Sequence, residues 1–349
     1  MIRYVKEATR RPGRTRTMAG AMVAVVMAGG CASVTGDARD VAASGSVAAG
    51  EAYDSATRHD DAFNRQFAHK FADVNGVRMH YVAGGTGQPL VLLHGWPQSW
   101  YEWRGVMPEL AKEYTAYAVD LPGLGDSQGT STGYDKKTLA RYVHGLIADE
   151  LDLDNIRLAG HDLGAGVGFQ YAAQYPDNVV KYAHLDYPLP GPALPAAQYR
   201  TFSWHMAFHT QPRIPEAVVN DNVHEYLNLF YPQVAYRGTA FGGPGAESPF
   251  SADEVDEYAR TYRRAQVLTG GFALYRTLDQ DERDNTAAAP VRAPTLVMTA
   301  EGQAAFIRKT LQPRMSAIVR AVDVPRSGHW LPEEKPTFVT SELLAFFAA

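Results

Sequence analysis

The stretch Gly160-His161-Asp162-Leu163-Gly164 follows an apolar run, Ile156 to Ala159, and leads into the small residues Ala165 and Gly166. A strand, a tight Gly-x-Asp-x-Gly turn and a helix have the spacing of a nucleophile elbow, G-x-S-x-G, with Asp162 where the serine belongs. A serine needs a base before it attacks, whereas an aspartate, with an ordinary pKa of about 3.9, is already an anion at neutral pH. A carboxylate is a modest nucleophile toward a carbonyl. It suits an sp³ carbon bearing a strained or good leaving group, either an epoxide carbon or a carbon–halogen bond. The product is an alkyl ester of Asp162. Histidine-activated water then attacks the ester carbonyl while an oxyanion hole holds the developing charge. By itself the motif also fits a plain helix cap, because aspartate is a preferred N-cap at a strand-to-helix junction. Two further stretches outweigh that reading. "LLHGWP" (Leu92–Pro97) and "SGHW" (Ser327–Trp330) place a tight turn and a histidine at the ends of two other strands.

Side chains so far apart in sequence need a sheet whose strand ends converge. Phe71–Val74 and Val77–Val82 predict two strands around an Asn75-Gly76 hairpin turn. Leu90–Leu93 has the short apolar run of a buried parallel strand. Trp100–Glu113 predicts a helix, Thr115–Asp120 a strand, and Leu139–Leu151 an amphipathic helix. Ile156–Gly160 (strand), Ala165–Gln174 (helix) and Val179–Leu185 (strand) continue the alternation. This pattern predicts an α/β fold, a mostly parallel sheet with helices on both faces. From Pro188 to Thr286 the chain is helical and aromatic. Alternation resumes with Pro294–Thr299, Ala304–Leu311, Ala317–Val324 and Pro332–Phe347. The core is therefore expected over 63–187 and 287–349, and a helical cap or lid over 188–286, above the carboxyl ends of the strands where open sheets bind ligands. "DLPGLGDS" (Asp120–Ser127) reads as structural turn chemistry, and the acidic runs Asp279–Asp284 and Asp149–Asp154 read as solvated faces.

The first 31 residues read as an export signal. They carry six basic residues and one acid, and an uncharged stretch, Met18–Gly30, too short to span a bilayer, precedes Cys31, the one cysteine. Two alternatives stay open: a lipoprotein signal with Cys31 as lipid anchor, or an ordinary cleaved signal. Either places the protein outside the cytoplasm, as a periplasmic, membrane-anchored or secreted chain. Residues 32–62 read as a flexible tether, rich in Ala, Ser, Gly and Asp. Without residues 1–31 the balance is 27 basic against 37 acidic residues, which disfavours nucleic acid as a partner. Oligomeric state is left open.

"HGWPQSWYEWR" (His94–Arg104), "DLPGLGDS", "GHDLG" and "GHWLPEE" (Gly328–Glu334) occur in that order. With them, the chain from residue 63 onward resembles the α/β-hydrolase family in its epoxide hydrolase and dehalogenase branch, most closely secreted bacterial epoxide hydrolases of the Cif type. The resemblance implies Asp162 as nucleophile, His329 as the base that activates water, and the N–H groups of Trp96 and Leu163 as oxyanion hole. It implies His205 and Tyr275 as lid donors to the opening ring, and no cofactor. His94, Pro97, Phe202, Trp204 and Phe208 are expected to line the substrate pocket, and the lid aromatics suit an apolar epoxide. His205 and His209 are four apart, as metal ligands can be, but no HExxH pattern or nearby third ligand accompanies them, so no metal is expected.

Two acids compete for the third place in the triad: Asp186 in "AHLDYPLPG" (Ala183–Gly191) and Glu301 in "LVMTAEGQ" (Leu296–Gln303). Asp186, at a strand end entering the lid, is favoured. The rival reading is a haloalkane or haloacid dehalogenase. Haloalkane dehalogenases commonly place tryptophan after the nucleophile, where this chain has Leu163. Fluoroacetate dehalogenases have arginines where this chain has Leu163 and Gly166, and a His-Trp lid pair where this chain has His205-Met206. A binding protein without turnover is a third reading, and the intact Asp162–His329 pairing argues against it.

Overall fold

The computed structural model describes residues 61–348 of the chain. The export signal, Cys31 and the tether as far as residue 60 lie outside the described residues. Eight strands form one sheet: β1 (Phe67–Val74), β2 (Val77–Gly85), β3 (Gln88–Leu93), β4 (Tyr114–Val119), β5 (Ile156–His161), β6 (Val179–Leu185), β7 (Thr295–Thr299) and β8 (Ile318–Asp323). Their order is β1-β2-β4-β3-β5-β6-β7-β8. β2 is antiparallel to both β1 and β4, and every other pairing is parallel. The β1–β2 hairpin turns through Asn75 and Gly76, both with positive φ, the two-residue turn whose twist matches the strands it joins.

Helices cover both faces, so the central strands are apolar throughout. Leu90–Leu93 and Leu158–Ala159 are fully buried, and each such Leu or Val side chain contributes about 1.5–3 kcal/mol relative to exposure. Two expected helices are broken. Trp100–Glu113 divides into a 3₁₀ turn, Trp100–Trp103, and a short helix, Met107–Leu110, which Pro108 starts. Pro332–Phe347 divides into Leu331–Glu334 and Pro336–Ala348. Pro336 starts the second piece, and the residue before a proline is driven out of helical conformation.

Between β6 and β7 the insert runs as a series of short helices from Ala196–Tyr199 to Leu278–Ala287. Two polar joints hold it to the sheet domain. Arg104, beside the loop after β3, is bonded to Glu333 and to Glu254 of the lid, and Tyr258 of the lid donates to Glu333 at 2.7 Å. The second joint corrects the reading of Asp279–Asp284 as a wholly solvated face. Asp279 is exposed and paired with Arg200, but Asp281 is on the opposite face of its helix and is buried. It accepts from Lys136 Nζ at 2.8 Å and from the Lys136 backbone N–H at 2.9 Å. Lys136 is itself buried, and its ammonium also donates to the carbonyl of Leu274 at 2.5 Å.

A buried pair is costly to break on one side, because the remaining charge has no solvent. Lys136→Met is expected to lower unfolding stability by about 3–5 kcal/mol in urea titration. The double change Lys136→Met with Asp281→Leu is expected to recover most of that loss.

Candidate active site

The turn after β5 holds Asp162 in the left-handed region, φ 48°. Its backbone N–H still pairs with Leu185 O at 3.0 Å, continuing the sheet, while the chain turns sharply into the helix Leu163–Gln174. Asp162 occupies the N-cap position but its side chain makes no capping bond. It turns the other way, and Oδ2 accepts the N–H of Trp96 at 3.0 Å. The approach is so close that a Cβ on Gly95 would collide with the Asp162 side chain, so the loop after β3 needs glycine there. Leu163 begins the helix, with its N–H at the helix N-terminus beside Asp162.

His329 sits on the loop after β8. Its Nε2 is 3.8 Å from Asp162 Oδ1, and its Nδ1 is 2.7 Å from Asp186 Oδ2. Asp186 directly follows β6 with φ 45°, and its other oxygen accepts the Ala300 N–H at 2.8 Å. Glu301 is exposed and accepts instead from the Arg326 N–H at 3.2 Å. Of the two acids, the structure brings Asp186 to the imidazole.

A residue that the sequence reading passed over lies beneath this group. His161 is fully buried, with Nδ1 3.1 Å from the buried Glu102 and Nε2 2.7 Å from the carbonyl of His329. Burial opposes its protonation, but the Glu102 carboxylate prevails and lifts its pKa to about 9. Glu102 also accepts the Gly95 N–H at 3.2 Å. The signal was in the sequence: Glu102 and His161 belong to the motifs "WYEW" and "GHD".

Above the carboxylate lies a cavity of about 390 Å³. Trp96, Asp162 and His329 line it from the sheet domain, and His205 and Tyr275 from the lid. The His205 and Tyr275 rings are 5.9 Å apart, edge to face. Burial, aided by His329, holds His205 down to about 3, so it is neutral at ordinary pH. Burial, then the Asp162 charge, pushes the Tyr275 hydroxyl well above its usual range.

The pocket reading needs correction at four positions. Phe202 lines the cavity, but His94, Pro97, Trp204 and Phe208 do not. His94 lies behind the loop, where Nδ1 donates to Gly95 O at 2.8 Å and Nε2 accepts the Leu121 N–H at 3.2 Å. Pro97 is turned to the lid, its carbonyl accepting from Tyr231 at 3.2 Å. Trp204 and Phe208, one helical turn apart, share the face away from the cavity, and Trp204 is 50% exposed. Apolar walls absent from the sequence reading come from Met206, Phe230, Phe306 and Ile307, with Tyr199 beside them.

His209 does not line the cavity. Its Nε2 is 2.6 Å from the Tyr226 hydroxyl, and its ring packs on Trp96 and Tyr275. His80, Asp120 and Asp126 are grouped closely enough to suggest a metal, but those ligands are engaged. Asp120 bonds His80 and the backbone N–H groups of Trp100 and Asp126, and Asp126 pairs with Arg260 and Arg264. This is the "DLPGLGDS" turn.

Comparison with known proteins agrees with this fold. Residues 88–336 match the model of the alpha/beta hydrolase fold, and residues 50–103 match the epoxide hydrolase N terminus. A soluble epoxide hydrolase from a Corynebacterium species is 36% identical over 81% of this chain and 98% of its own length. A fluoroacetate dehalogenase from a Burkholderia species is 29% identical over 77% of this chain and 90% of its own. The crystal structure of the Cif epoxide hydrolase from Acinetobacter nosocomialis superposes with a TM-score of 0.73, covering 81% of this chain and 89% of that one. At 24% identity that likeness is one of fold.

The bonding of the two acids separates their variants. Asp186→Asn is expected to lower turnover by roughly 10³–10⁴-fold, since it spoils the orientation and charge partner of the imidazole. Glu301→Gln is expected to stay within about two-fold of the parent, as measured by steady-state epoxide turnover of folded protein.

Proposed function

This chain belongs to the α/β-hydrolase family, in its epoxide hydrolase branch, and we propose that it opens an apolar epoxide to a vicinal diol through an alkyl ester of Asp162. The observation that carries the proposal is the placement of one carboxylate between two kinds of partner. Asp162 faces the paired donors His205 and Tyr275 across the cavity and the His329–Asp186 couple beside it.

In the first half-reaction an oxygen of Asp162 attacks an epoxide carbon. The carbon–oxygen bond of the ring breaks and its electron pair moves to the ring oxygen. That oxygen takes a hydrogen bond from neutral His205 and a proton from Tyr275, a phenol being ordinarily a stronger acid than the alcohol being formed. In the second, His329 takes a proton from water, and the resulting hydroxide adds to the ester carbonyl. The oxyanion is held by the Trp96 and Leu163 N–H groups. Asp186 stabilises the imidazolium. Collapse breaks the bond between the carbonyl carbon and the alkoxide, the alkoxide takes the proton of the new Asp162 carboxylic acid to leave as the diol, and the imidazolium proton returns to the phenolate of Tyr275.

The lining favours an apolar substrate. Phe202, Met206, Phe230, Phe306 and Ile307 form the walls, and no Lys or Arg is among the lining residues. A haloacid would bury its carboxylate there with no cation to meet it, which is costly. This supports the epoxide reading over the haloacid one.

Single turnover in ¹⁸O-water tests the ester directly. The diol of the first turnover is expected to be free of label, because its new oxygen comes from Asp162, and His329→Gln is expected to accumulate the ester, seen as an intact-mass increase equal to the epoxide. Labelled diol in the first turnover would mean direct attack by water. A separate measurement addresses the donors: Tyr275→Phe is expected to slow ester formation by about 10²–10⁴-fold and ester hydrolysis far less. Release of fluoride or chloride from haloacids as fast as epoxides are opened would favour the dehalogenase reading.

A further inference from the structure

Ser203 stands at the N-cap of the helix Trp204–His209, with extended backbone, φ −152° and ψ 150°. A serine there ordinarily accepts a hydrogen bond from a backbone N–H two or three residues on. Ser203 makes no such bond. Its hydroxyl lies 2.8 Å from Nδ1 of His205, and both residues line the cavity. The helix thus forgoes its side-chain cap for a contact to one imidazole nitrogen.

The contact matters because His205 is neutral. A neutral imidazole carries a single N–H, on Nδ1 or on Nε2. With Nδ1 directed to Ser203, Nε2 is the nitrogen left to meet a ligand, and it makes no hydrogen bond to the described residues. If Nε2 carries the proton, it donates to an oxygen in the cavity. If Nδ1 carries it, Nε2 is a bare acceptor that repels the oxygen of an opening ring. A serine hydroxyl that donates to Nδ1 selects the first form.

We propose that Ser203 is a positioning residue for ring opening: its hydroxyl donates to His205 Nδ1 and so holds an Nε2–H donor toward the epoxide oxygen, beside Tyr275. This rests on the reading of His205 as a ring-opening donor. The two are separable, because the serine acts only on tautomer and orientation.

The direct test is ¹⁵N NMR of the full chain with labelled histidine, His205 being assigned by the signals lost in His205→Gln. Nδ1 is expected at an acceptor-type shift and Nε2 at an N–H-type shift, and Ser203→Ala is expected to convert this to a mixture. In single-turnover kinetics, Ser203→Ala is expected to slow ester formation roughly ten-fold, the loss of one neutral hydrogen bond. Ester hydrolysis should hardly change, and Ser203→Thr should restore formation. A proton on Nδ1 in the parent protein overturns the proposal, as does equal slowing of formation and hydrolysis in Ser203→Ala. Slow formation in His205→Ala with parental formation in Ser203→Ala overturns it while leaving the donor reading intact. Parental formation in His205→Ala, which has no side-chain donor, overturns both.

Discussion

The buried pair of Glu102 and His161 ties together three loops at the carboxyl ends of the strands. One carboxylate oxygen accepts from Gly95, in the loop after β3, and the other faces His161, the neighbour of Asp162. His161 in turn donates to the carbonyl of His329. Neither member could be carried alone at such depth, because an isolated charge out of water costs several kcal/mol. Paired with each other and each hydrogen-bonded to a backbone group, they form a polar knot in a low-dielectric setting, where each interaction is stronger than in water. The positions of Asp162, the Trp96 N–H and His329 follow from that knot and from the sheet beneath it.

Burial then divides the protonation states around the cavity. His161, His205 and His209 are all buried, yet only His161, with an adjacent carboxylate, is held as a cation. His205 and His209 face no carboxylate and are kept neutral by desolvation. A cation therefore lies beneath the cavity, on His161, while the lid presents a neutral imidazole and a neutral phenol. That separation suits a reaction in which an anion attacks from below and negative charge appears on an oxygen above.

The same physics ties the lid to the sheet domain. Lys136 reaches from the core to the carbonyl of Leu274, the residue before Tyr275, and its charge is met by Asp281. One phenolic hydroxyl is thereby held above the carboxylate by a helix whose end is fixed in the core. Placement at this level decides efficiency, since reacting groups must be aligned within a few tenths of an ångström.

Periodicity and motif order carried the architecture a long way. Short apolar runs marked the parallel strands because both their faces are covered, and the break in alternation at Pro188 marked the lid. Asp162 and His329 stand out in motifs because a strand-end turn restricts which residues can stand there, whereas His205 and Tyr275, on lid helices, came only from the family resemblance. Local pattern failed where partners come from distant segments. Trp204 and Phe208 read as pocket walls in the sequence, but the rotation of their helix turns them outward and turns Met206 to the cavity. Asp281 stood in an acidic run that looked solvated until Lys136, 145 residues away, was found against it. Glu102 was hidden in an expected helix that folds as a 3₁₀ turn and delivers its carboxylate to His161. The choice between Asp186 and Glu301 rests on which strand end brings a carboxylate oxygen to 2.7 Å from the imidazole. Sequence by itself determined the elements and the chemical types at their ends, because those follow from neighbours along the chain. Only the tertiary structure decided which groups are buried together, and burial together is what sets charge, proton position and reach.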